Sequence, residues 1–281
     1  MTAAGASRTS GLAPRGMSAL LVVSVLSLDG CATRRLPLPS GPGTPFPDYA
    51  SAFDEASRRC RDVRSLTAEL AVSGRVGTRR LRGRVLAGLA RPSSVRLEGV
   101  APFGPPAFIL TATDDRSTLL LPRDDRVLQD APPAAIIEAL AGVSLPPDDL
   151  RALLAGCLVA DLTPIGGRRF GSQWAAVDFG GRETAYLQLV DDKWRIVAAE
   201  HGPLHIEYAD QVAGQPATVR LRTPTSELTL KLSQLDLNVA MEPGAFTLPI
   251  PPRAVPMTLE ELRDAGPLGT AAKDRKGSDR P

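Results

Sequence analysis

The chain has 281 residues, 43% apolar and 23% charged, enough apolar material to bury a core, so wholesale disorder is excluded. Lys and Arg number 33 against 31 Asp and Glu, a formal net charge of +2, which is no nucleic-acid-binding surplus. Aromatics are 4% and histidines 2 in all, leaving no base-stacking platform and little material for a histidine metal site.

The first element in chain order is an export segment. Arg8 and Arg15 precede an apolar run over residues 17–28, and its 12 residues fall short of the roughly 20 that a membrane-spanning helix needs. The run ends in Leu28-Asp29-Gly30-Cys31. This resembles the lipobox of bacterial lipoproteins, whose cysteine is acylated and becomes the mature N-terminus. Leu28, Gly30 and Cys31 fit, while Asp29 is an unusual occupant; the other reading is an ordinary signal with an incidental cysteine. Ala32, rather than aspartate, follows the cysteine, and the resemblance then implies passage to the outer membrane, facing the periplasm. Residues 1–30 are accordingly expected to be a lipoprotein signal peptide. Residues 31–48, rich in Pro and Gly, are expected to be the lipidated cysteine and an extended tether.

The domain is expected over residues 49–252. Tyr49, Phe53, Ala56, Cys60 and Val63 recur at three and four residues, predicting a helix over 49–66. Alternation then predicts strands over 66–73, 81–89 and 94–100, with further apolar stretches at 107–113 and 117–121. Two short helices interrupt them, 134–141 after Pro132-Pro133 and 150–154 after Pro146-Pro147, with Asp148 as a candidate cap and Gly142 and Gly156 as stops. Strands resume over 172–179, 184–190, 194–199, 204–208, 218–222 and 227–232, with Gly180-Gly181 and Asp191-Asp192 as hairpin turns. The pattern is mainly β with α: a meandering antiparallel sheet of about eleven strands, which at that length curls towards a barrel and places helices on its apolar face. Residues 253–281 are expected to hold a short helix over 258–264 and a disordered tail.

No catalytic constellation emerges. Nucleotide-binding loops and Gly-x-Ser-x-Gly elbows are missing. His201 and His205, with Glu200 and Glu207 nearby, fit no metal motif and read as strand polarity; the acidic pairs read as turns. No cofactor, metal site, enzymatic activity or nucleic-acid partner is expected. Cys60 and Cys157 remain besides Cys31; they either form a disulfide, which an oxidising periplasm allows, or lie as two buried thiols. A curled sheet with an apolar face filled by Leu, Val, Ile and Ala has two options. It packs tightly under helices or leaves an apolar cavity for a lipid, and both use the same inward side chains.

An ordered set of short motifs goes further. Val95-Arg96-Leu97 leads into Ala101-Pro102-Phe103-Gly104; then come Glu138-Ala139-Leu140-Ala141-Gly142, Leu145-Pro146, Leu150 and Leu153-Leu154-Ala155-Gly156. With the lipobox ahead of it, this order resembles the outer-membrane lipoprotein receptors of the LolB family, within the LolA/LolB-like carrier fold. The resemblance implies an unclosed antiparallel barrel of about eleven strands covered by short helices, enclosing an apolar cavity for acyl chains. It implies a monomer that takes lipoproteins from a periplasmic carrier and inserts them into the outer membrane. It also implies a membrane-insertion loop of Pro102, Phe103 and Gly104, with Phe103 where the family has leucine; the plain alternative is a core aromatic. Residues beyond 235 exceed that family's usual length and look like other carrier-fold lipoproteins, so a structural or regulatory role in envelope assembly or lipid sensing stands as the alternative.

Overall fold

Alternating side chains and glycine- or aspartate-rich turns build most of this chain. The computed structural model describes residues 36–114, 116–158, 162–212 and 214–265; the signal segment, Cys31 and residues 266–281 lie outside the described residues. The strands are β1 (Thr44–Pro45), β2 (Ser65–Val76), β3 (Arg79–Ala90), β4 (Ser94–Val100), β5 (Ile109–Thr113), β6 (Arg116–Leu121), β7 (Arg126–Gln129), β8 (Gly166–Phe170), β9 (Trp174–Gly180), β10 (Glu183–Val190), β11 (Lys193–His201), β12 (Leu204–Val212), β13 (Gln215–Arg222), β14 (Ser226–Leu237) and β15 (Val255–Pro256). The helices are α1 (Tyr49–Arg61), α2 (Pro133–Ala141), α3 (Pro147–Leu154) and α4 (Leu259–Ala265), with a 3-10 turn at Pro243–Phe246.

All fifteen strands lie in one sheet, in the order β1-β8-β9-β10-β11-β12-β13-β14-β2-β3-β4-β5-β6-β7-β15. Two meanders meet where β14 pairs with β2, and every pairing is antiparallel except β15 beside β7. The sheet does not close: β1 and β15 end it. Among the described residues the sheet has fifteen strands, where about eleven were expected. The four extra strands carry weak signals. β1 and β15 are two residues each, β7 is four, and β8 reads Gly-Gly-Arg-Arg-Phe, without alternation. The first helix also stops at Arg61, short of residue 66, because Ser65 and Leu66 already pair with Ala90 and Leu89.

One sheet face carries the core. Leu66, Ala68, Leu70 and Val72 of β2, Leu81, Val85, Ala87 and Leu89 of β3, and Val95 and Leu97 of β4 are all buried. Helix α1 packs on β8, β9 and β11; α3 packs on β3 and β4; α2 packs on β6 and against α4. Pro133 and Pro147 open α2 and α3, where a missing N–H costs nothing. Asp148 is no cap: its carboxylate accepts from Nε of Arg151 at 3.0 Å instead. Gly142 ends α2 at φ +71°, and its amide closes on the Glu138 carbonyl.

The segment after β14 folds back onto the sheet. The 3-10 turn lies against β4 and β5, where Nη1 of Arg96 donates to the Ala245 carbonyl at 3.0 Å. Arg96 alternates with Val95 and Leu97, so this turn covers the sheet face opposite the helices. The chain then passes β7 as β15 and returns to α2 as α4.

Candidate functional site

Beneath α2 and α3 runs a seam of about 80 Å³, lined only by apolar residues. Leu70, Val72, Val85, Leu97, Leu228 and Leu230 form its sheet wall, and Ile137, Leu140, Val143, Leu145 and Leu150 its helix wall. Water's share of liquid volume is about 30 Å³, and pockets for small ligands run roughly 300–1,000 Å³. The seam is thus a narrow slit, far below the volume that the acyl-chain cavity implied by the resemblance would need.

Phe108 closes one end of the seam and is 2% exposed. It lies over Gly99, where a Cβ would sit 2.4 Å from its ring, so no larger residue fits beneath it. Five residues earlier in the same β4–β5 connection, Phe103 is 88% exposed. The core aromatic of this segment is therefore Phe108, and Phe103 stands in solvent. Pro102, Pro105 and Pro106 deny the loop a regular ladder. Gly104 turns it at φ +77°. Arg123, in the β6–β7 turn, braces it: Nη2 donates to the Phe103 carbonyl at 2.7 Å and Nε to the Pro105 carbonyl at 3.3 Å. Nothing in the sequence marks Arg123, because it acts on backbone oxygens twenty residues away.

On the other side, Cys60 at the end of α1 is joined to Cys157 just beyond α3 by a disulfide, with Cα atoms 5.5 Å apart. Buried Arg151 of α3 donates to the Val63 carbonyl and to Asp148. The hydroxyl of buried Tyr208 donates to the Cys157 carbonyl, and burial pushes that phenol well above the ordinary tyrosine range. Phe53 of α1 meets Phe179 edge to face, with ring centroids 4.8 Å apart. Beside this junction opens a pocket of about 710 Å³. Arg58, Arg59, Lys193 and Arg195 rim it, with Glu55, Trp194 and Tyr208. Dehydrating its four cationic heads would be costly, which disfavours an acyl chain there.

Each histidine lies beside a carboxylate, and the two form no cluster. His205 Nδ1 lies 2.7 Å from Glu200 and His201 Nδ1 lies 3.0 Å from Glu183. Among the described residues no three His, Cys, Asp or Glu side chains stand where they could hold a metal ion.

No protein-family model matches this sequence, and no curated protein matches it either. Solved structures with a similar course of chain include a LolA superfamily protein from Nitrosomonas europaea, at 10% identity and TM-score 0.49, covering 70% of this chain and 96% of that one. A DUF1329 family protein from Desulfovibrio piger is similar at 12% identity and TM-score 0.46, covering 70% and 96%. A putative outer membrane lipoprotein-sorting protein domain from Vibrio parahaemolyticus is similar at 11% identity and TM-score 0.45, covering 70% and 95%.

Proposed function

We propose that this chain is a lipid-anchored receptor of the outer membrane, acylated at Cys31, that accepts lipoproteins from a periplasmic carrier and inserts them into the bilayer. The observation that carries this reading is the single β4–β5 loop. It puts Phe108 in an apolar seam and Phe103 in solvent. One short segment thereby links an apolar interior to an exposed apolar side chain.

The seam as folded is about 80 Å³, so uptake requires α2 to lift from the sheet. The lining suits such a motion, because parting its apolar walls unpairs no polar group of the lining, although the tie of Ser226 Oγ to the Gly142 carbonyl at the end of α2 has to break. An incoming acyl chain replaces the lost contacts: a sixteen-carbon chain is worth at most about 12 kcal/mol, at roughly 0.8 kcal/mol per methylene. The bilayer offers a similar gain, so transfer runs on small affinity differences and needs no catalysis. Phe103 partitions into the membrane interface and guides the chains across.

The test mixes the full chain carrying Cys31→Ser with a periplasmic carrier loaded with radiolabelled lipoprotein. The label is expected to move to the chain and then to liposomes. Cargo that stays on the carrier at every concentration overturns the receptor role.

The packing of α4 on α2 favours a second reading, a structural or regulatory envelope lipoprotein whose seam stays shut. Recovery of a stable complex with envelope proteins, free of acylated cargo, would distinguish it.

A further inference from the structure

We propose that the β2–β3 hairpin is a docking surface for anionic phospholipid headgroups; this rests on the reading that the chain works at a membrane. Arg75, Arg79, Arg80 and Arg82 crowd the hairpin tip and all are exposed. Arg75 lies directly opposite Arg80 in register, and like charges so placed repel. Further along β3, Arg84 pairs with Glu69. The four tip arginines have no such carboxylate among the described residues, and Glu227 stands across from Arg75 in the β14 register without an ion pair. The array is also held in place: the Gly77 amide donates to the Thr225 carbonyl at 2.7 Å, fixing the tip to the β13–β14 turn. An array of unpaired cations on a fixed hairpin calls for negative charge from outside the molecule.

A membrane is favoured over an acidic protein by what lies at the same end of the sheet. Arg84 is in register with Val100, where β4 ends, so the chain leaves β4 in the direction of the tip and reaches Phe103 three residues later. Exposed arginines at the same end of the sheet as an 88% exposed phenylalanine match a charged headgroup layer over an apolar interior. Asp124 and Asp125 lie in the neighbouring β6–β7 turn, and Asp125 is held by Arg253. Each arginine near an anionic surface contributes about fivefold in partitioning, so three contribute up to about a hundredfold at low salt.

The test is co-sedimentation of the full chain carrying Cys31→Ser. One set of vesicles is phosphatidylcholine alone and the other contains one-third phosphatidylglycerol. Binding is expected to favour the anionic vesicles and to fall steeply with salt. The R79Q/R80Q/R82Q variant is expected to lose at least tenfold on anionic vesicles while melting at the same temperature. F103D is expected to weaken binding to both vesicle types and to leave the salt dependence in place. Equal binding of the parent chain to both vesicle types overturns the proposal, and so does undiminished anionic binding by the triple variant. Capture of an acidic protein with no preference among vesicles also overturns it. The salt dependence of the parent chain tests the surface even if the triple variant is poorly folded. If cargo transfer persists while headgroup charge is ignored, the hairpin proposal fails alone; if anionic binding persists without cargo uptake, the receptor reading fails alone.

Discussion

Helices α1 and α2 both cover the apolar face of one sheet, but they are held by different forces. Around α1 the bonds are directional: a disulfide to the end of α3, a buried guanidinium on the Val63 carbonyl, a buried phenol on the Cys157 carbonyl, and an edge-to-face ring pair. Under α2 the contacts are apolar, with Ser226 Oγ on the Gly142 carbonyl as a polar tie at its end. Directional bonds fix one geometry and are lost all at once when it changes. Apolar contact is tolerant of sliding and of substitution by another hydrocarbon. The molecule thus has a side fixed by directional bonds and a side held by apolar contact.

The largest test of this contrast is removal of the disulfide. It spans 97 residues, and a loop of that size constrains the unfolded chain by about 4 kcal/mol. Cys60→Ala with Cys157→Ala is expected to lower unfolding free energy in urea by that order; a loss below about 1 kcal/mol would break the contrast. Next in size, Leu140→Ala on the seam side of α2 is expected to cost about 2–5 kcal/mol. Native-state hydrogen exchange should accelerate in α2 while α1 amides keep their protection. Equal acceleration in both helices would mean that they open as one unit.

A smaller effect concerns α4, which leans on α2. Thr258 and Glu261 form a reciprocal cap: the Glu261 amide donates to Thr258 Oγ1 at 3.2 Å, and the Thr258 amide donates to Glu261 Oε2 at 2.7 Å. That amide, and Arg126 beside it, hold the Glu261 carboxyl below its ordinary 4.5. A depressed folded-state pKa means that the stabilisation is complete above the unfolded value and is lost as pH falls through the folded one. As pH falls below 4.5, therefore, the protection of α4 amides relative to their intrinsic exchange should decrease, and Glu261→Gln should largely remove this pH dependence. The smallest change in stability is expected for Phe103→Asp. Its exposure of 88% leaves little packing to lose, so its melting should match the parent within about 0.5 kcal/mol while delivery to liposomes falls. Phe103→Leu should keep both properties, and severe unfolding of the aspartate variant would remove Phe103 from the exposed loop.

Sequence made the alternating strands legible. Leu66, Ala68, Leu70 and Val72 announce a buried face by their spacing, and Asp191-Asp192 announces the β10–β11 turn, where both residues take positive φ. β8 was not legible, because its Gly-Gly-Arg-Arg start is made a strand by β9 and not by its own side chains; Tyr49 packs within 2.3 Å of where a Gly167 Cβ would be. The course of residues 239–256 was not legible for a similar reason, since Arg96 and the β7 edge position it from far away in sequence, whereas α4 lies within one residue of the helix expected over 258–264. At the candidate site, the loop setting of Phe103 was readable from its prolines. The width of the seam was not, since the same leucines and valines line an open cleft or a closed one. Nor was the burial of Phe108 in place of Phe103, which depends on the space left by Gly99.

An open sheet of fifteen strands has two ends, and each end is a template on which another chain could add a strand. Here both terminal strands are two residues long and both contain proline, Pro45 in β1 and Pro256 in β15. A strand of that length offers almost no ladder, and its proline contributes no N–H to one. The sheet therefore escapes lateral growth without closing into a barrel. It can stay open in a crowded compartment and still not become the seed of an aggregate.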